Sequence, residues 1–87
     1  MLKIYSKSNC ANCIAAKQFL NQRGVAYEEL MLDIDFTREQ LVEQFPLARQ
    51  YPIVVLDGLN IGGFSELIQK FPLIENQIRN ERSLLNG

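Results

Sequence analysis

Cys10 and Cys13 are the only cysteines of the 87-residue chain, and they stand in a Cys-Ala-Asn-Cys motif. The motif follows a short apolar segment, residues 2–5, and opens a helical pattern. The start of a helix has free backbone N–H groups and about half a positive charge, which favour a thiolate. Lys7 adds a mobile positive charge nearby. The sequence therefore predicts Cys10 as a nucleophile, with Cys13 one turn away to close or open a disulfide.

Three roles without redox chemistry fit this cysteine pair less well. A structural disulfide across so few residues closes only a small loop and gives little stability. A zinc site needs four ligands, and a chain with two cysteines and no histidine could complete one only as a dimer. Two unrelated buried cysteines would have to coincide with a strand and a helix start by chance. Redox chemistry is the favoured interpretation, and no metal site is predicted.

The composition predicts a small enzyme of the cytoplasm in a single domain, residues 1–87. Hydrophobic residues make up 47% of the chain and charged residues 22%, so a packed core is expected. The formal charge of −1 and the lack of a basic stretch give no support to nucleic-acid binding. No apolar run is long enough for a membrane span, and no signal peptide is recognisable. In a reducing compartment a Cys-x-x-Cys pair is rarely a permanent disulfide.

Hydrophobic periodicity predicts the order β-α-β-α-β-β-α, an α/β fold with one mixed four-stranded sheet. The predicted elements are strands 2–5, 25–32, 52–56 and 59–61 and helices 11–23, 38–45 and 64–71. Gly24 is expected to end the first helix, and Thr37 to cap the second. The aliphatic run within residues 52–56 indicates a central strand, and Asp57-Gly58 indicates a hairpin turn. After Pro72, residues 73–85 are predicted as an extra C-terminal helix or a frayed tail.

Several segments together resemble the glutaredoxins, which have the thioredoxin-like fold. They are Lys7-Ser-Asn-Cys-Ala-Asn-Cys13, Tyr51-Pro52 before the buried strand, and Ile61-Gly-Gly-Phe-Ser-Glu-Leu67. The resemblance covers residues 2–71 and leaves the tail without a motif. It implies a glutathione-disulfide oxidoreductase, monomeric, with no permanent cofactor and with glutathione as reductant.

The resemblance also implies where glutathione binds. In the family, the proline matched by Pro52 is cis and faces the cysteines, and the backbone of the residue before it, here Tyr51, pairs with the ligand. The turn at Gly62 and Gly63 lets the chain pass close to a ligand. The N–H groups that follow, of Phe64 and Ser65, could hold the γ-glutamyl carboxylate, and Lys7 the other carboxylate.

This chain departs from the family pattern at several of these positions. Ala11 and Asn12 replace the usual proline and tyrosine, and Asn12 is counted among the glutathione contacts. Tyr51 is hypothesised to replace the lost aromatic wall.

Near the start of the second helix, the family's arginine or glutamine position falls on Glu39, which has the wrong charge. Arg38 or Gln40 is predicted to help bind the glycyl carboxylate instead. Arg49 is a weaker candidate and is interpreted as a solvated surface charge.

The predicted reaction is thiol–disulfide exchange on protein disulfides and glutathionylated proteins, with ribonucleotide reductase as a natural client. Two further functions stay open on the sequence alone. One is a [2Fe–2S] carrier in which two subunits and two glutathiones hold the cluster. The second is a small redoxin reduced by thioredoxin reductase.

Overall fold

The predicted order of elements is confirmed in the computed structural model, which describes residues 1–48 and 50–86. Arg49, the weaker cation candidate, lies outside the described residues. The elements are β1 (Leu2–Ser6), α1 (Ala11–Gln22), β2 (Glu28–Met31), α2 (Arg38–Gln44), β3 (Ile53–Leu56), β4 (Leu59–Gly62) and α3 (Phe64–Asn86).

The four strands form one mixed sheet in the order β2-β1-β3-β4. β1 is parallel to its neighbour β2 and antiparallel to its neighbour β3, and β3 and β4 are antiparallel. β1 and β3 are therefore the central strands. Every residue of β3 is buried, as expected for an aliphatic run covered on both faces.

Each face of the sheet has its own apolar cluster, because alternate strand residues point to opposite sides. Leu2 and Ile4 of β1 face a cluster that includes Ala16 and Leu20 of α1 and Leu67 of α3. On the opposite face, an aromatic cluster gathers Tyr5, Phe36, Phe45, Leu41 of α2, and Ile53 and Val55 of β3. Two helices thus cover one face, and α2 with its flanking residues covers the second.

The end of α1 shows why β2 is shorter than the predicted strand 25–32. The N–H of Gly24 donates to the carbonyl of Asn21, and that of Val25 to the carbonyl of Leu20. With Gly24 at φ 67°, this is a Schellman motif. The motif uses the N–H of Val25, which is therefore not available to the sheet, and β2 begins at Glu28, opposite Lys3.

Two local predictions about helix and turn geometry are confirmed. Thr37 caps α2 in a capping box, in which its hydroxyl accepts from the N–H of Gln40 and the Gln40 side chain accepts from the N–H of Thr37. Asp57 and Gly58 both have positive φ, 51° and 83°, as a type I′ hairpin turn requires.

The prediction of a helix that stops at Phe71 is wrong, because α3 continues through Pro72 to Asn86. Pro72 lacks an N–H and leaves the carbonyl four residues back without its helical partner. Pro72 is exposed, so the interruption lies on the solvent side. Beyond it, Ile74 is 1% exposed and Ile78 packs against the same core cluster. This burial holds the second half of the helix against the sheet.

Candidate active site

Cys10 stands at the N-cap of α1, directly after the loop that leaves β1. The preceding residue, Asn9, has φ 54°, a left-handed conformation that asparagine tolerates better than most residues. Cys10 itself is extended, and its Sγ accepts a hydrogen bond from the backbone N–H of Cys13 at 3.1 Å. The same N–H would stabilise a thiolate on Cys10 when the disulfide is open.

The two cysteines are joined by a disulfide, with their Cα atoms 5.2 Å apart. Cys10 is 8% exposed and Cys13 only 2%. Cys10 is thus the more exposed residue of the pair, and Cys13 is the more deeply buried. This asymmetry matches the predicted roles of nucleophile and resolving cysteine.

Tyr51 lies beside this loop with its ring between an aromatic partner and a cation. The ring stacks on Phe36, with centroids 6.5 Å apart and an angle of 29° between the planes. The Nζ of Lys7 lies 5.5 Å from the Tyr51 ring centroid, within reach of a cation–π interaction. The structure therefore brings together two of the predicted glutathione-binding residues, Lys7 and Tyr51.

The phenol oxygen of Tyr51 is buried and has no hydrogen-bond partner among the described residues. Burial raises the pKa of Tyr51 above its usual 10.0; Arg38 lowers this pKa and Asp33 raises it, both through their charges. The hydroxyl is consequently a neutral donor at physiological pH, and Arg38 is near enough to interact with it electrostatically. Arg38, the predicted carboxylate partner, therefore lies near enough for its charge to act on the Tyr51 phenol.

Two further residues of the second-helix prediction are placed differently. The side-chain oxygen of Gln40 is used in the Thr37 capping box, at 2.9 Å from the Thr37 nitrogen. Glu39 is exposed in the first turn of α2. Of these neighbours, Arg38 is the one whose charge acts on Tyr51.

The peptide bond between Tyr51 and Pro52 is cis, as the family resemblance implies. Pro52 is fully buried, and its carbonyl oxygen lies 3.5 Å from where a Cβ on Gly63 would stand. The start of β3 and the start of α3 are therefore packed closely together. Gly62, Gly63, Phe64 and the exposed Ser65 follow in sequence at this junction, and Asn12 is exposed in the first turn of α1.

Glu66 is a residue of this region to which the sequence motifs assign no role. Its Oε1 accepts a hydrogen bond from the N–H of Gly63 at 3.0 Å. A Cβ on Gly62, where φ is 129°, would meet the Glu66 side chain at 2.7 Å. The spacing from Gly63 to Glu66 is that of the backward contact in a capping box, from N3 to the N-cap N–H. This spacing is the sequence signal that indicates the contact.

The larger of two cavities lined by described residues lies away from the cysteines. It measures about 640 Å³ and is lined by residues near the start of β1, the α1–β2 loop and α3, among them Leu2, Gly24, Tyr27, Glu75 and Ile78. The cysteine pair follows the opposite end of β1, beyond Ser6. The candidate active site is therefore assigned from the cysteine pair and not from the size of a cavity.

Two further observations describe the molecule as a whole. No helix in the described part of the chain combines the length and apolar character needed to cross a membrane. Within the same residues, no group of three or more His, Cys, Asp or Glu side chains is arranged to hold a metal ion.

The fold and the cysteine pair define a thiol–disulfide oxidoreductase of the thioredoxin-like fold. The family model for glutaredoxin matches residues 2–61. The chain therefore belongs to the glutaredoxin family.

Among curated relatives, glutaredoxin 1 of Rickettsia typhi is 29% identical over 90 residues, which cover 93% of this chain and 86% of the relative. The glutaredoxin-like protein NrdH of Lactococcus lactis is 29% identical over 66 residues, covering 74% and 88%.

Two solved structures show the same architecture. Glutaredoxin 1 from Francisella tularensis, complexed with cacodylate, superimposes with a TM-score of 0.73 at 27% identity, covering 86% of this chain and 95% of that one. A buckwheat glutaredoxin–glutathione complex gives a TM-score of 0.70 at 27% identity, covering 82% and 67%.

Proposed function

We propose that this protein uses glutathione to reduce protein disulfides and glutathione mixed disulfides. The observation that carries the proposal is the position of Cys10. Its sulfur accepts a hydrogen bond from an N–H at the start of α1, and Cys10 is the more exposed residue of the pair. The 27% identity to a glutaredoxin that binds glutathione adds support for the co-substrate. No permanent cofactor is part of the proposal.

The γ-glutamyl end of glutathione is a zwitterion, and the start of α3 offers groups for both of its charges. The N–H groups of Phe64 and Ser65, in the first turn, have no acceptor within the helix and would bind the carboxylate. Glu66, whose carboxylate accepts a hydrogen bond from the N–H of Gly63, would bind the ammonium group. Gly62 has no side chain and so leaves room for Glu66, whose side chain a Cβ on Gly62 would meet at 2.7 Å.

The glycyl end of glutathione carries the second carboxylate and would lie towards Tyr51. Lys7, over the Tyr51 ring, and Arg38, which interacts with the phenol, supply the positive charges. The backbone of Tyr51 before Pro52 would pair with the peptide of glutathione as a sheet edge pairs with an added strand. Asn12, exposed in the first turn after Cys10, completes the proposed contacts.

On a glutathionylated substrate the reaction needs only Cys10. Its thiolate attacks the sulfur of the glutathione moiety, and the substrate leaves as a thiolate that takes up a proton. A second glutathione thiolate then attacks the glutathione sulfur bound to Cys10. This step releases glutathione disulfide and returns the Cys10 thiolate.

On a protein disulfide the reaction needs both cysteines. Cys10 attacks one sulfur of the substrate and forms a mixed disulfide, and Cys13 displaces the substrate by closing the Cys10–Cys13 bond. Two glutathiones then supply the two electrons that reopen this bond, and they leave as glutathione disulfide. The proposed clients are glutathionylated proteins and ribonucleotide reductase. We place this reaction in the cytoplasm, with the protein as a monomer, because glutathione supplies reducing equivalents there and one chain carries the whole site.

The test is NADPH-coupled reduction of a small glutathione mixed disulfide, with glutathione and glutathione reductase. The parent is compared with Cys10→Ser and Cys13→Ser. Cys10→Ser should lose activity by about 10³-fold or more, as expected when a covalent nucleophile is removed. Cys13→Ser should retain reduction of the mixed disulfide but lose reduction of a protein disulfide. Equal losses in both variants on the mixed disulfide would contradict the mechanism.

A second candidate function is a redoxin that receives its electrons from thioredoxin reductase. The 29% identity to the glutaredoxin-like protein NrdH favours it. The same purified protein distinguishes the two candidates. An inactive parent with glutathione that turns over with NADPH and thioredoxin reductase would replace the first proposal with the second and leave Cys10 as the nucleophile.

A further inference from the structure

The cavity at the Leu2 end of β1 has the size and the lining of a small-molecule site. It measures about 640 Å³, within the range of about 300–1,000 Å³ that is typical of ligand pockets. Its apolar lining includes Leu2, Val25, Tyr27 and Ile78, all of which belong to one core cluster or pack against it. Because side chains that pack against a core keep their positions, the apolar wall is already formed before a ligand arrives.

Three segments of the chain form this cavity. They are the start of β1, the connection from α1 to β2, and the part of α3 beyond Pro72. At the connection, Gly24 ends α1 in the Schellman motif, and a Cβ at this glycine would meet no atom within 4 Å. Gly24 and Ala26 are both exposed to solvent. The cavity is therefore accessible from the side of this connection.

Arg23 supplies an ordered positive charge at the cavity. Its guanidinium carbon lies 3.6 Å from the centroid of the Phe19 ring and 5.5 Å from that of the Phe71 ring. One of its N–H groups donates to the carbonyl of Phe19 at 3.3 Å. Arginine has several further N–H donors, which remain for a ligand. Since the guanidinium already lies over the rings, less conformational entropy is lost when these donors bind an anion.

The other two cations of the cavity are already paired. Arg79 lies 3.6 Å from Glu75, and the ammonium group of Met1 is paired with Asp57. The guanidinium over Phe19 forms no ion pair with any residue that the structure describes. It is therefore the group at this cavity that is best placed to bind an anion.

Glu28, the first residue of β2, is the opposing charge. It lines the cavity and is exposed, and its side chain forms no ion pair or hydrogen bond with a described residue. Its carboxylate repels an anion only through solvent, which screens the interaction, whereas Arg23 can bind an anion by direct hydrogen bonds. The charges therefore favour one anionic group, bound at Arg23.

We propose that this cavity is a second binding site, which takes a small molecule with an apolar body and one anionic group, such as a medium-chain carboxylate or an aromatic sulfonate. The apolar body would lie against Tyr27 and Ile78, and the anionic group would accept hydrogen bonds from Arg23. The site lies at the end of β1 opposite to Cys10 and takes no part in the thiol chemistry. The proposal therefore does not rest on the use of glutathione.

The first experiment titrates the purified protein with 8-anilinonaphthalene-1-sulfonate, an aromatic sulfonate that fluoresces when it binds apolar surface. Arg23→Gln should weaken binding about fivefold or more, because charge-assisted hydrogen bonds are lost. Glu28→Gln removes the opposing charge and should strengthen binding about twofold at low salt. The matched control is Lys70→Gln, which removes a lysine from the smaller cavity and should leave the affinity unchanged. No binding to the parent, or an equal loss in Arg23→Gln and Lys70→Gln, would overturn the proposal.

The second experiment locates the bound molecule without changing Arg23. Ala26→Trp places an indole at the cavity from an exposed position, so the denaturant midpoint should stay near the parent value. Affinity for the sulfonate should fall about tenfold or more, because the indole occupies the space of the ligand. An unchanged affinity in this variant would place the sulfonate elsewhere and contradict the proposal.

The third experiment tests the charge of the ligand. Decanoate should displace the sulfonate from the parent and raise its denaturant midpoint, as a ligand that binds only the folded state does. Decylamine has an apolar chain of the same length and the opposite charge, and it should do neither. Equal displacement by the two compounds would show that the cavity does not select an anion and would refute the proposal.

Discussion

The two ends of β1 differ in what they offer a ligand. At the Leu2 end, the chain forms the larger cavity, about 640 Å³, bordered by Tyr27 and Gly24. The Ser6 end leads to the cysteine pair, whose sulfurs line neither that cavity nor the smaller one found among the described residues. An extended peptide co-substrate lies along a surface and contacts backbone, so a site for it does not need a deep cavity. In this protein a nucleophile at a helix start is the better guide to function.

The largest effect that separates the two ends is expected from a pair of glycine substitutions. Gly62→Ala adds a methyl group that would clash with the Glu66 side chain, and it forces alanine into a backbone conformation with φ 129°. Strain of about 1–3 kcal/mol at this position should raise the KM for glutathione by about tenfold or more. Gly24→Ala also has positive φ, 67°, but meets no atom within 4 Å. It should lower the unfolding midpoint and leave the KM at the parent value.

Steady-state kinetics with varied glutathione, together with denaturant unfolding, measures this pair. If Gly24→Ala raises the KM for glutathione as much as Gly62→Ala does, the prediction that only the Ser6 end of β1 serves glutathione binding is wrong.

The next effect compares two half-buried tyrosines, one at each end. Tyr51→Ala removes the ring beneath Lys7 and the phenol near Arg38. Loss of one such set of contacts, about 1 kcal/mol, should raise the KM for glutathione about fivefold. Tyr27→Ala, at the larger cavity, should change stability and not the KM. If Tyr51→Ala leaves the KM unaffected, the ring does not replace the missing aromatic wall.

The smallest effect is expected from exposed arginines. Arg38→Ala should raise the KM for glutathione about 1.4-fold to fivefold, as for an exposed ion pair of about 0.2–1 kcal/mol, and the effect should fade at high salt. The control is Arg79→Ala, which removes an exposed arginine paired with Glu75 at 3.6 Å near the Leu2 end. Gln40→Ala should act through the cap of α2, on stability. An unchanged KM in both Arg38→Ala and Gln40→Ala would remove α2 from the site.

Local sequence signals predict most of the fold because they act over a few residues. The glycine after α1, the threonine before α2 and the Asp57-Gly58 turn each need one backbone conformation, and the residue types indicate it. The predicted start of β2 at Val25 is wrong: the N–H of Val25 is bound to the carbonyl of Leu20, and β2 begins at Glu28. Hydrophobic periodicity does not show which carbonyl each backbone N–H binds.

The candidate site is predicted less completely, since its contacts join distant parts of the chain. The positions of Cys10 and Cys13 follow from one short motif. The stacking of Tyr51 on Phe36 depends on how two loops meet. Glu66 is an intermediate case, because its spacing from Gly63 indicates the hydrogen bond but not that this turn packs against Pro52.

The exposed Pro72 inside α3 has a consequence for hydration. The amide ladder of the helix is interrupted once, and the carbonyl left without its N–H belongs to Ile68, a residue that is 45% exposed. Water can take the place of the missing donor there. A wet, convex side lets a long helix bend towards the sheet that it covers. One continuous helix can thus begin at the glycine pair beside the active site and pass Ile78 at the border of the larger cavity.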